Sequence, residues 1–204
     1  MVDSSRLAVV SGGATGIGRA IAHRLAEQGD TAVIIGRREN LLQQTTTTIN
    51  QTLGYARVVP VNADLTDPIQ VRHAADQITA MGTVDVLVNN AGAIITPLAD
   101  TGLDALAASW RQDLDINLIT AVLLTNALMD SLTRPGGRLI MISSAAAQRG
   151  GSGAHSAGSY AAAKAALHGW ALGLQRLPRG RLPDRPDHRP QRRRRTRQMS
   201  RPQS

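Results

Sequence analysis

A five-residue apolar run, Leu7-Ala8-Val9-Val10-Ser11, opens directly into Gly12-Gly13-Ala14-Thr15-Gly16-Ile17-Gly18. A helical spacing of Ile21, Ala22, Leu25 and Ala26 follows and stops at Gly29. The apolar run suits a strand buried on both faces of a parallel sheet. Glycines in the turn let a backbone approach a pyrophosphate, whose charge meets the N–H groups and positive dipole end of the helix. Taken alone, such a turn reads equally well as a plain tight turn. A strand before it and a helix after it are the context that a dinucleotide-binding turn requires. This unit commits the chain to an α/β architecture.

The next apolar run, 31–35, delivers Gly36-Arg37-Arg38 where a Rossmann unit meets the adenosine ribose. An acid there would hydrogen-bond the ribose 2′-OH, whereas an arginine accommodates a 2′-phosphate. Gly36 stands at the acid's position and Arg37 follows, so NADP(H) is favoured over NAD(H). The alternative is that Arg37 and Arg38 simply open a solvated helix over 39–52, in which Thr45–Thr48 is a poor helix-forming run. A third strand is expected over 57–61, ahead of Asn62-Ala63-Asp64-Leu65. Asp64 either hydrogen-bonds an adenine amino group or turns the chain into the helix that starts near Pro68. A fourth strand, 84–89, ends in Asn89-Asn90-Ala91-Gly92. Small residues and amides there suit a close-packed wall under a cofactor, or else a turn.

Residues 103–130 read as one long helix, with Asn117 a polar group inside an apolar pattern that includes Leu114, Leu118 and Val122. Pro135-Gly136-Gly137 breaks the chain before a fifth strand, 138–143, which ends at Ser143-Ser144. Hydroxyls at the carboxyl end of a strand sit where open α/β sheets bind ligands. A mobile connection rich in Gly, Ala and Ser, 145–159, leads to Tyr160-Ala161-Ala162-Ala163-Lys164. Residues four apart share a helix face, and a cation beside a phenol favours the phenolate. That pairing makes a tyrosine usable as a proton donor and acceptor; alternatively it is an incidental pair on a surface helix. Lys164 is the chain's single lysine.

The chain has 204 residues, enough for one domain with a real core. Cysteine is absent, which excludes disulfides, a thiolate nucleophile and Cys-type metal sites, and no metal is expected. No apolar run approaches membrane-spanning length, so the expected location is the cytoplasm with no membrane partner. The formal net charge of +8 resides in residues 176–204, which carry eleven Arg against Asp184 and Asp187. The rest is near neutral, so nucleic acid is not an expected partner of the folded part. Residues 176–204 also hold five of the nine prolines, which predicts a disordered Arg/Pro-rich tail behind a Rossmann domain over 1–175. Such a tail is either a basic arm for an anionic surface or the product of a shifted reading frame in a GC-rich gene.

With these pieces in order, the chain resembles the short-chain dehydrogenase/reductase family, classical type. The resemblance rests on SGGATGIG (11–18), GRR (36–38), NADL (62–65), NNAG (89–92), Asn117, ISS (142–144) and YAAAK (160–164). It implies a Rossmann-type doubly wound parallel sheet and NADP(H)-dependent interconversion of a carbonyl and an alcohol by hydride transfer. Tyr160 would be the general acid/base, with Lys164 lowering its pKa and holding the nicotinamide ribose. Ser144 would hydrogen-bond the substrate oxygen, and Asn117 would anchor a water that links Lys164 to solvent. The cofactor would lie against Gly12, Thr15, Gly16, Ile17, Gly18, Arg37, Asp64 and Leu65, then Asn90, Ala91 and Gly92, with Tyr160 and Lys164 at its far end. The helices around 103–130 and 156–175 would form a homodimer face.

Two departures accompany the resemblance. Sixteen positions separate Ser144 from Tyr160, slightly more than the family's usual spacing, which leaves Ser143 as a substitute for Ser144. Beyond residue 175 the family continues with further strands and a substrate lid, where this sequence turns to Arg and Pro. The chain therefore reads as C-terminally truncated or frameshifted, with a fifth strand left as an aggregation-prone edge. The alternatives to an active reductase are a remnant that at most binds NADP(H), or a basic-tailed nucleic-acid binder.

Overall fold

Five runs of Val, Ile, Leu and Ala form parallel strands: β1 Leu7–Ser11, β2 Thr31–Gly36, β3 Val58–Asn62, β4 Val84–Asn89 and β5 Arg138–Met141. They lie in the order β3-β2-β1-β4-β5 in a computed structural model that describes residues 5–95, 102–151 and 158–176. Successive strand side chains point to opposite faces, so β1 divides its apolar residues between two cores. Leu7 and Val9, with Val33 and Ile35 of β2, pack against α3 (Pro68–Thr79) through Val71, Ala74 and Ile78, and against α5 (Thr120–Leu128) through Leu124 and Leu128. Ala8 and Val10, with Ala32 and Ile34, pack on the other face against α1 (Gly16–Glu27) and α2 (Glu39–Leu53), through Ala22, Ala26, Leu42 and Ile49. Burial on both faces is why these strands read as continuous apolar runs. This is the doubly wound parallel sheet expected from the sequence.

The strand order reverses at β1. From there the chain winds outward through β2 and β3, then returns to place β4 and β5 on the other side. The crevice at such a reversal, beyond the carboxyl ends of the strands, is where open α/β sheets bind ligands.

Two local details differ from the sequence reading. The expected single helix over 103–130 is divided into α4 (Leu103–Leu114), a π-helical turn at Asp115–Ile119, α5, and a 3-10 turn at Met129–Ser131. In the π turn the Thr120 N–H reaches back five residues to the Asp115 carbonyl. The side-chain amide of Asn117 meanwhile donates to the Asp113 carbonyl at 3.1 Å, so a side chain competes for the helix ladder and widens it. The α2 helix forms where expected and runs through Thr45–Thr48 despite their low propensity. Thr45 Oγ1 donates to the Ala14 carbonyl at 3.0 Å and Thr48 Oγ1 to the Gln44 carbonyl at 2.8 Å, which gives both hydroxyls partners. The second difference is at β5, which ends at Met141, two residues early, although the Ile142 N–H still donates to the Asn89 carbonyl.

Among the described residues β5 is an edge strand, with Arg138 and Ile140 exposed. The connection after it contains a short helix, α6 (Ala146–Arg149), and leads to α7 (Ser159–Arg176). Of the tail expected over 176–204, Arg176 is the last residue of α7, and residues 177–204 lie outside the described residues.

Candidate active site

The carboxyl ends of β1 and β4 are knotted together by one serine and one asparagine. Ser11 Oγ accepts hydrogen bonds from the Asn90 and Ala91 N–H groups, both at 2.9 Å. In return, Asn90 Nδ2 donates to the carbonyls of Ser11 at 2.9 Å and Gly12 at 3.3 Å. The glycine turn is thereby held against the NNAG segment. Gly12 adopts a φ of +64°, which costs a glycine little. Gly18 lies beneath it so closely that a β-carbon there would stand 2.4 Å from the Gly12 carbonyl oxygen. At the start of α1, Thr15 provides no side-chain cap, and no acidic residue lies in the first turn. N–H groups at a helix N-terminus without such competitors suit an anion such as a pyrophosphate.

This turn floors one part of a cleft of about 850 Å³ along the carboxyl edge of the sheet. Thr15, Gly16 and Ile17 line it at the helix start, and Gly36, Arg37, Arg38, Asp64 and Leu65 line the adjoining rim. Arg37 is largely exposed, with its guanidinium 4.0 Å from the Asp64 carboxylate. Asp64 Oδ1 accepts from the N–H and the hydroxyl of Thr66, so this carboxylate shapes the turn. The helix cap belongs to Asp67, whose carboxylate accepts from the Ile69 N–H with Pro68 in the first turn.

At the other end of the cleft, α7 presents Tyr160 and Lys164 one turn apart, beside Ile142, Ser143 and the Asn90-Ala91-Gly92 wall. Lys164 is 4% exposed, and Nζ donates to the Ile142 carbonyl at 3.2 Å. Burial pushes the pKa of its ammonium down from the usual lysine value. Gly92 is fitted tightly into this group. A β-carbon on it would lie 2.6 Å from Asn117 Oδ1 and 2.8 Å from Lys164 Nζ. Asn117, 1% exposed, stands behind the wall and clamps Ala93 by both its backbone N–H and its carbonyl. Its Oδ1 accepts from the Ala93 N–H at 3.0 Å, and its Nδ2 donates to the Ala93 carbonyl at 2.8 Å.

The two serines after β5 take different parts. Ser143 lines the cleft and donates its hydroxyl proton to the Lys164 carbonyl at 2.9 Å. Ser144 lies just past the lining, where its Oγ accepts from the Ala146 N–H at 3.1 Å. An accepted N–H leaves a serine's own O–H proton available for donation.

The residues singled out in the sequence thus gather around one crevice. Gly12, Thr15, Gly16, Ile17, Arg37, Asp64, Leu65, Asn90, Ala91, Gly92, Tyr160 and Lys164 line it, whereas Gly18, Asn117 and Ser144 support it from behind or beside. Sequence reasoning passed over Ser11, Asp113 and Ser159. Ser159 Oγ donates to Asp113 Oδ2 at 2.5 Å, immediately before Tyr160. The available signals were the one hydroxyl at the end of β1, an acid one turn before Asn117, and a hydroxyl preceding the YxxxK pair.

The comparisons with known proteins agree with this geometry. The family model for short chain dehydrogenases matches residues 6–178. Over 173 residues the chain is 34% identical to 3-oxoacyl-[acyl-carrier-protein] reductase FabG of Escherichia coli (strain K12), covering 84% of this chain and 66% of that protein. It therefore spans just under two thirds of that relative's length. A short chain dehydrogenase from Burkholderia cenocepacia J2315, solved in complex with NADP, superposes with a TM-score of 0.71 at 36% identity, covering 84% of this chain and 67% of the other. A 3-oxoacyl-[acyl-carrier protein] reductase from Brucella melitensis with bound NAD gives a TM-score of 0.73 at 28% identity, covering 85% and 66%. The chain belongs to the short-chain dehydrogenase/reductase family, classical type.

Proposed function

We propose that this chain is an oxidoreductase that interconverts a carbonyl and an alcohol with NADP(H). The observation that carries the reading is the shared cleft: a glycine turn at an uncapped helix start at one end, the Tyr160–Lys164 pair at the other. The residues present fit a dinucleotide, because the uncapped helix start leaves N–H groups for a pyrophosphate, Gly18 lets α1 pack tightly beneath Gly12, and Gly92 lets the wall close onto Lys164. When bound, the cofactor supplies or accepts the hydride. Tyr160 gives a proton to the carbonyl oxygen in one direction and takes the hydroxyl proton in the other. The Lys164 ammonium, one turn away and poor in solvent, would stabilise negative charge at that phenol and would hold the cofactor's ribose. Ser144 donates its hydroxyl proton to the substrate oxygen, where alkoxide character develops. Asn117 holds the Ala93 backbone and would anchor a water that links Lys164 to solvent.

Preference for NADP(H) over NAD(H) is supported by Gly36, which puts no carboxylate at the end of β2, and by Arg37 and Arg38 on the rim. The Arg37 guanidinium stands on that rim, 4.0 Å from the Asp64 carboxylate, where a 2′-phosphate would be met. Relatives of this chain have been solved with NADP and with NAD, so a direct comparison of the two is the discriminating assay. Leu103, Leu106 and Trp110 are exposed at helical spacing on α4, and Leu172 is exposed on α7, which supports these helices as a face for a second copy. Titration of the full chain with NADPH and NADH, followed by reduction of a panel of aldehydes and ketones, tests the reading. Tighter NADPH binding with turnover supports it. Binding without turnover would leave a cofactor-binding chain, and no binding would overturn the reading.

A further inference from the structure

Asp113 is the one fully buried residue of α4, and it is a carboxylate. A helix that buries a single side chain on its neighbours gains most from an apolar one. A carboxylate is retained there only where hydrogen bonds replace its water. Both of its oxygens are engaged. Oδ2 accepts from Ser159 Oγ at 2.5 Å, and Oδ1 accepts a long contact from Asn117 Nδ2 at 3.4 Å. The Asp113 backbone carbonyl takes the same amide at 3.1 Å. Asn117 in turn clamps Ala93, next to the Gly92 wall. One continuous set of hydrogen bonds therefore runs from the cofactor wall, through the π turn, to the first residue of the helix that carries Tyr160.

We infer that Asp113 is a positioning residue for the chemistry proposed above: through Ser159 it fixes the start of the Tyr160 helix against the Asn117 turn. This rests on the reading of Tyr160 and Lys164 as the reacting pair. Tyr160 is one residue beyond the anchored serine, so its phenol moves with that anchor, whereas the glycine turn and β1 lie outside the linkage. The hydrogen-bond pattern also explains the residue type. The site needs an acceptor for a hydroxyl on one side and for an amide N–H on the other. A carboxylate satisfies both, whereas an asparagine must turn an NH₂ group towards one of two donors.

The test uses the full chain carrying Ser159→Ala, Ser159→Thr and Asp113→Asn. Two readouts are taken: amide hydrogen exchange by peptide, and kcat and KM for NADPH-dependent carbonyl reduction. Ser159→Ala is expected to speed exchange across 159–164, leave β1 and β4 unchanged, and lower kcat by about 10- to 100-fold without moving the KM for NADPH. Asp113→Asn should act in the same direction, and Ser159→Thr, which keeps the hydroxyl, should restore both readouts. Faster exchange with unchanged kcat would show a purely structural tether and overturn the inference, as would a loss of kcat that threonine does not restore. If the unaltered chain shows no turnover, the proposed function fails. Exchange then decides separately, with acceleration at 159–164 in Ser159→Ala supporting the linkage and no change overturning it.

Discussion

Ser143 Oγ donates to the backbone carbonyl of Lys164 at 2.9 Å, which fastens the end of β5 to the turn of α7 that bears the lysine. Its neighbour Ser144 accepts a backbone N–H and keeps its own proton for another acceptor. The two hydroxyls therefore separate by function. Ser143→Ala is expected to lower unfolding free energy by about 1 kcal/mol while kcat falls little. Ser144→Ala should lower kcat by about 100-fold or more, as for loss of a donor to a developing oxyanion. Denaturant titrations and steady-state kinetics on both variants check this; the reverse pattern would reassign the substrate contact to Ser143.

Gly92→Ala places a methyl group where Asn117 Oδ1 and Lys164 Nζ already stand. Neither is the loose end of an exposed side chain, since both residues are buried. The expected cost is about 1–3 kcal/mol of stability from overpacking, together with loss of turnover, measured by thermal melting and kinetics. A variant with unaltered melting and activity would show that the wall is slacker than described.

Arg37→Ala tests cofactor choice. The guanidinium sits on the rim 4.0 Å from Asp64, with no carboxylate at Gly36 to serve a ribose hydroxyl. A hydrogen bond to a charged group contributes about 1.5–3 kcal/mol, equivalent to roughly 10- to 150-fold in affinity. Isothermal titration should find NADPH weakened to that extent and NADH almost untouched. Equal losses for both cofactors would contradict a 2′-phosphate contact.

Lys164 gives a pH signature. Burial lowers its pKa in the folded chain below the usual 10.5. The unfolded chain then binds the proton more readily between those two values, and stability rises with pH across that window. Relative to Lys164→Met, the unaltered chain should therefore gain stability as pH is raised from neutral towards 10.5. Urea midpoints for the two proteins at several pH values check the sign, and a difference that shrinks or reverses would contradict it.

Much of the scaffold was legible because parallel strands buried on both faces spell continuous apolar runs. The stretch from Leu7 to Gly29 announces strand, turn and helix by residue type alone. The division of 103–130 was not legible, since a π turn depends on where the Asn117 amide finds Ala93, a residue distant in sequence. The helix over 39–52 was legible, but not what supports its Thr45–Thr48 run against propensity, since the partner of Thr45 is the Ala14 carbonyl across the fold. At the site, the residues that line the cleft were readable as motifs. The Asp113–Ser159 contact was not, because neither residue carries a motif and their proximity exists only once α4 and α7 pack.

The most direct test of the account compares the unaltered chain with Tyr160→Phe in one experiment, measuring NADPH binding by fluorescence and carbonyl reduction by loss of NADPH absorbance. The substitution removes one oxygen from the cleft and leaves the aromatic ring. Turnover by the unaltered chain, loss of turnover in Tyr160→Phe, and the same NADPH affinity in both are expected. Reduction that persists in Tyr160→Phe at the unaltered rate would contradict the account, because the proton would then come from another group.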